Sequence, residues 1–158
     1  MANVNLDALI PRGDFRGDQP IEGQRKFESL TLQQLWRESM LTISHLLRKP
    51  DFQRETSEWD KVRIAAFIKS FIEGQFIPSV ILWINEQTNE IFVIDGAHRL
   101  SAIMAYLHDD FGDQAISHAY YTYNRIPQSE IELAEDARNY VNKAIGGSVV
   151  LPNFWTVS

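Results

Sequence analysis

The stretch VILWINEQTNEIFVIDGAHRLSAI, residues 80–103, decides how the chain is read. Residues 80–84 and 91–94 are short apolar runs, and the link between them is polar and short. Two runs joined in this way predict an antiparallel hairpin. Neither run alternates with polar residues, so both faces of the hairpin are expected to be covered. After Asp95 and Gly96 the period changes. Leu100, Ile103, Met104, Leu107 and Phe111 recur at helical spacing. The stretch therefore reads as strand, turn, strand, tight junction and helix.

The junction carries the chemistry. A helix entered from a strand through Gly leaves backbone N–H groups free in its first turn. The helix dipole adds partial positive charge there, and the two together favour an anion. His98 and Arg99 stand in that same turn, where the dipole disfavours cations. A phosphate-like ligand reconciles them. Arg99 can grip it in a bidentate fork, and Gly96 lets it approach the backbone. Asp95 has two possible uses, capping the helix or holding a magnesium ion that travels with a phosphate. The plainer reading stays open: Asp-Gly is a common turn, with Asp95 as N-cap and Arg99 paired to Asp95 or Asp60.

Residues 1–28 are polar, with turn-formers at Gly13, Gly17 and Gly23, and read as an extended, partly mobile arm. Thr31 and Gln34 have capping-box spacing, and Leu32, Leu35 and Trp36 keep a helical period. Pro50 ends the element that begins there. DFQRETSEW, residues 51–59, is a polar loop. In it, Gln53 and Arg54 read either as a second phosphate or base contact or as an ordinary surface pair. Ser57 and Asp60 again have capping-box spacing, ahead of a stripe of Ile64, Phe67, Ile68, Phe71 and Ile72 that stops at Gly74. Pro78 precedes the first strand of the hairpin. Residues 117–126, rich in Tyr, predict a further strand, and residues 128–145 a last helix ending at Gly146 and Gly147. The domain proper is therefore residues 29–148. The apolar tail, 149–158, either packs back on it or is the cut edge of a longer protein.

Composition narrows the classes. The chain has 158 residues, is 44% hydrophobic and contains nine Phe and four Trp, which is ample for a packed core. It has no Cys, which removes disulfides, thiolate metal sites and cysteine nucleophiles and suits a reducing cytoplasm. No run approaches the ~18 apolar residues of a membrane span. The net charge of −6 argues against a surface that binds nucleic acid by its overall field.

Other groupings are weaker. His108, Asp109, Asp110 and Asp113 lack EF-hand spacing and read as a solvated helix end. Asp95, His98 and Ser101 are the residue types of a hydrolase triad, but they crowd one turn and no Gly-x-Ser-x-Gly elbow occurs. Tyr120, Tyr121 and Tyr123 are of a kind that stacks on bases, though strand packing accounts for them. Glu130, Glu132, Glu135 and Asp136 read as a solvated helix face.

DFQRE with Trp after it, then IKSFIEGQFIPSVIL, then FVIDGAHRLSAI, in that order, resembles the N-terminal domain of the GmrSD-type restriction family over about residues 30–112. That family's pattern is a Gln-Arg loop before Trp, a helix ending near Gly, an Ile-Pro strand start, and Asp-Gly-Gln-Gln-Arg or Asp-Gly-Gln-His-Arg opening a helix. The resemblance implies an α+β, ParB/sulfiredoxin-like domain with a small mixed or antiparallel sheet flanked by helices. It also implies binding of a nucleoside triphosphate (NTP) with Mg2+, in some members hydrolysis, within a bacterial system against foreign or modified DNA. On this basis the nucleotide contacts are Gln53, Arg54, Gly96, Ala97, His98, Arg99 and Ser101. Catalysis falls to Asp95, His98 and Arg99, with Asp95 the metal ligand. Ala97 stands where the family usually has Gln, which removes a hydrogen-bonding side chain beside the phosphates. Larger members carry a His-Asn-His nuclease domain that this sequence does not resemble, and the absence of Cys excludes sulfiredoxin chemistry. Two other readings are a non-catalytic module that binds DNA or a partner nuclease subunit or domain, and a ParB-like nuclease.

Overall fold

A computed structural model describes residues 2–13, 27–30, 44–53, 55–75, 79–121 and 125–146. Among them five strands, β1 (Arg12–Gly13), β2 (Phe27–Leu30), β3 (Leu47–Pro50), β4 (Val80–Ile84) and β5 (Ile91–Asp95), lie in the spatial order β1-β3-β5-β4-β2. Pairings β1–β3 and β3–β5 are parallel, while β4–β5 and β2–β4 are antiparallel. The helices are α1 (Lys61–Ile72), α2 (Ala97–His108), α3 (Ala115–Tyr120) and α4 (Gln128–Ala144). The fold is thus α+β with a small mixed sheet. No described helix is long and apolar enough to cross a membrane.

The hairpin forms as its sequence predicts, with Ile84 opposite Ile91 and Leu82 opposite Val93. The register then slips so that Ile81 faces Asp95, which makes Ile94 an extra residue, a bulge at the end of β5. Gly96 comes next with φ +101, and a Cβ there would lie 2.5 Å from Val80 Cγ1. Only Gly fits both the left-handed backbone and the close approach of β4. From Leu100 to Leu107 every residue of α2 is buried, as expected of a helix enclosed by its core. Helix α1 packs against α2 and α4 through Ile64, Ile68 and Phe71. Its cap is Asp60, whose carboxylate accepts the Arg63 N–H at 2.9 Å; Ser57 lies outside the helix. At its other end Gly74 and Gln75 donate back to Phe71 and Ser70, a Schellman closure at the Gly the sequence marks.

Four expectations change. Residues 1–28 read as a polar arm, but Val4, Leu6, Ala8, Leu9 and Ile10 are in the core. The backbone N–H groups of Val4 and Leu6 donate at 2.9 Å to the Trp59 and Thr56 carbonyls, so the segment runs along the 56–60 loop. Its apolar residues are too few and too interrupted to show a period. Second, residues 115–120 are helix α3 and not strand. The Asp110 carboxylate accepts the Gly112, Asp113, Gln114 and Ser117 N–H groups and the Ser117 hydroxyl, which turns the chain into a helix against its Tyr-rich β propensity. Third, the acids of 109–113 are not simply a solvated helix end. Asp110 and Asp113 are buried, and Arg138 clamps Asp109 at 2.8 Å and Asp113 at 2.6 Å. Fourth, residues 47–50 are strand β3 and Pro50 is part of it. Thr31, Gln34, Pro78, Tyr123 and the tail lie outside the described residues.

Candidate functional site

A cavity of about 310 Å³ opens where β5 hands over to α2. One wall is Ile94 and the junction itself, Asp95 to Arg99; the facing wall is Gln53, Glu58, Trp59 and Arg63. The bulge at Ile94 and the left-handed Gly96 shape the first wall. The second comes from the loop ahead of α1 and the first turn of that helix.

Gly96 is the N-cap position of α2, and no side chain caps the helix. Asp95 therefore does not act as a cap. Its carboxylate is exposed and accepts from Arg99 Nη2 at 3.3 Å, an i, i+4 pair. The same Nη2 donates to the Ser79 carbonyl at 3.1 Å, which ties the start of β4 to α2. Arg99 Nε is buried, and neither it nor Nη1 has an acceptor among the described residues. Part of a cationic fork thus stays uncommitted in the cavity wall.

His98 stacks on Trp59 with ring centroids 5.8 Å apart, and its Nε2 faces the Glu58 N–H at 3.4 Å. Burial pushes its pKa below the ordinary value; Arg63, Lys49 and Arg99 push the same way and Glu58 opposes them. The imidazole is accordingly neutral near pH 7. Arg63 lies over Trp59 on the same wall, its guanidinium 4.5 Å from the ring centroid. Phe67 meets the same ring edge-on at 5.6 Å.

Gln53 is held at both ends. Its side-chain nitrogen donates to the Val93 carbonyl at 3.1 Å and to the Ile94 carbonyl at 2.7 Å, the groups displaced by the bulge. Its own backbone carbonyl accepts from Arg12 Nη1. Arg12 also lies 3.7 Å from Asp7, whose carboxylate pairs with the wholly buried Lys49. The loop bearing Gln53 is in this way anchored to the core.

Of the residues expected at the site, Gln53, Asp95, Gly96, Ala97, His98 and Arg99 meet around one cavity. Arg54 lies outside the described residues. Ser101 is fully buried in α2, with a hydroxyl that has no partner among the described residues, and is not part of the cavity wall. Two wall residues had no signal of their own: Glu58 and Arg63 belong to no motif and arrive only through the turn into α1. Among the described residues no group of three or more His, Asp or Glu side chains is placed to hold a metal ion.

No curated protein and no solved structure matches the chain. The family model for the N-terminal domain of the GmrSD restriction endonuclease matches residues 36–153, a span that takes in every described wall of the cavity. By that match the chain belongs to the GmrSD restriction endonuclease N-terminal domain family, and with it to the restriction and DNA-defence proteins.

Proposed function

We propose that the cavity at the start of α2 binds a nucleoside triphosphate by its phosphates. The observation that carries this reading is Arg99: it lines the cavity beside an uncapped helix N-terminus while its Nε and Nη1 hydrogens lack acceptors among the described residues. Anionic oxygens would satisfy them and the free N–H groups of the first turn together. Arg63, on the facing wall, adds a second cation. Asp95 is exposed at the rim, where it would hold a magnesium ion that rides with the phosphates; one carboxylate suffices for an ion bound chiefly by phosphate and water. In hydrolysis the neutral His98 imidazole, whose Nε2 faces the Glu58 N–H, would position the attacking water through its Nδ1–H, and Arg99 would stabilise charge on the transferring group. Coupling to DNA would then belong to a partner nuclease subunit or domain, since a chain of net charge −6 is poorly suited to grip DNA unaided. The compartment consistent with a cysteine-free nucleotide-binding chain is the cytoplasm.

The test is calorimetric titration of ATP, GTP, CTP, UTP and inorganic triphosphate, each with magnesium, into the wild type and Arg99→Ala. At least one nucleotide should bind the wild type, and Arg99→Ala should weaken it tenfold or more, on the scale of a lost charge-assisted pair. A circular-dichroism melt checks that the variant is folded. Equal affinity in a folded Arg99→Ala protein would remove the phosphate role of the junction.

A further inference from the structure

We infer that Gln53 reads a hydrogen-bond donor on the bound ligand, and so sets which ligand the cavity accepts; this rests on the nucleotide reading above. A primary amide has two N–H donors and one carbonyl oxygen. Both donors of Gln53 are already spent on Val93 and Ile94. The two acceptors are backbone carbonyls, so the nitrogen must be the atom that faces them and the amide cannot be flipped without setting oxygen against oxygen. What remains is Oε1, an acceptor. Gln53 lines the cavity, and it therefore offers a ligand an acceptor and no donor.

This restricts the chemistry of the ligand. A phosphate oxygen has nothing to give to Oε1 and would be repelled by it. A hydroxyl or an N–H would be bound. Gln53 is bonded to the residues just ahead of Asp95 and Gly96, so the donor it reads sits next to the phosphate position. In a nucleotide, a ribose hydroxyl or a base N–H can supply it. The residue is also rigid before any ligand arrives. Arg12 holds its backbone carbonyl and β5 holds its side chain, so little freedom is lost when the bond forms. A site built around such a fixed acceptor discriminates strongly against an analogue that lacks the donor.

The experiment measures affinity of the wild type, Gln53→Met and Gln53→Asn for inorganic triphosphate, the four ribonucleoside triphosphates, and their 2′-deoxy and 3′-deoxy counterparts. In the wild type, removing one donor should weaken binding about fivefold or more. A loss on 2′- or 3′-deoxygenation assigns the ribose as source; a loss confined to a change of base assigns the base. Met and Asn each remove or retract the acceptor and should flatten that preference, and a circular-dichroism melt checks that each variant is folded. Equal affinities across the series in the wild type would overturn the inference, as would a full preference in either folded variant. Failure of inorganic triphosphate and every nucleotide to bind the wild type would instead sink the nucleotide reading itself.

Discussion

At the scale of single residues, what the sequence exposes is the set of side chains whose type conflicts with its surroundings. His98 and Arg99 in the first turn of a helix, behind Asp-Gly, are visible because cations there run against the dipole. Glu58 and Arg63 conflict with nothing where they stand, so their place in the cavity wall emerges only once α1 is folded back on the junction. The environment of His98 makes a pH prediction. Burial depresses the folded-state pKa of both His98 and His108 below 6.5, the value of an ordinary imidazole. Between that depressed value and 6.5 the unfolded chain binds more protons than the folded one. The contribution to stability is therefore complete above about pH 6.5 and is lost as the pH falls through the folded pKa. Thermal melts should show Tm dropping from about pH 7 to pH 5, and a His98→Gln, His108→Gln double variant should drop less over the same window. Parallel curves for the two proteins would mean that neither imidazole is buried in the folded state.

Elements were legible where one periodicity ran unbroken. The β4–β5 hairpin and α2 appear where residues 80–107 place them, because apolar runs and a 3.6-residue stripe survive any tertiary context. Helix α3 was not legible, because its cause is not local propensity. One buried carboxylate, Asp110, gathers the N–H groups that would otherwise be orphaned at a helix start, from Gly112 at 3.0 Å to Ser117 at 2.9 Å. Burial by itself would raise the Asp110 pKa, yet the Ser117 hydroxyl and N–H and the Gln114 and Gly112 N–H groups outweigh it and hold the carboxyl below its usual range. Replacing Asp110 by Ala strands these buried donors together and should cost on the order of 3 kcal/mol or more. Asn, with a single oxygen, should recover only part of that. Urea unfolding measures both, and a loss within about 0.5 kcal/mol for Asp110→Ala, the range of an ordinary surface change, would show that α3 forms without its anchor.

For the molecule as a whole, the decisive contacts join parts of the chain that no window of sequence contains together. Asp7, beyond reach of any local pattern, meets Lys49 on β3; the ammonium also donates to the Asp7 carbonyl and to Thr56 Oγ1, each at 3.0 Å. Tyr120 of α3 closes the cluster with a 3.3 Å bond to the same carboxylate. An ammonium has three donors, and here all of them are met. Burial works against both charges: it lowers the Lys49 pKa, Asp7 opposing, and it would raise that of Asp7 were it not outweighed by the hydrogen bond and charge of Lys49. The cluster fastens the N-terminal segment, β3, the loop that carries Gln53, and α3 to one point. A lysine and an aspartate read one at a time have the character of surface residues, which is why residues 1–28 read as an arm. Removing one partner leaves the other buried and uncompensated, so Lys49→Met should cost roughly 3–5 kcal/mol. Asp7→Asn in the same chain leaves no lone buried charge, and the double variant should be clearly more stable than the sum of the two single losses predicts. Denaturant unfolding of the four proteins completes the cycle. Strict additivity would mean that Asp7 and Lys49 do not act as a pair, and that the N-terminal segment is held by its apolar residues and its backbone hydrogen bonds to the 56–60 loop.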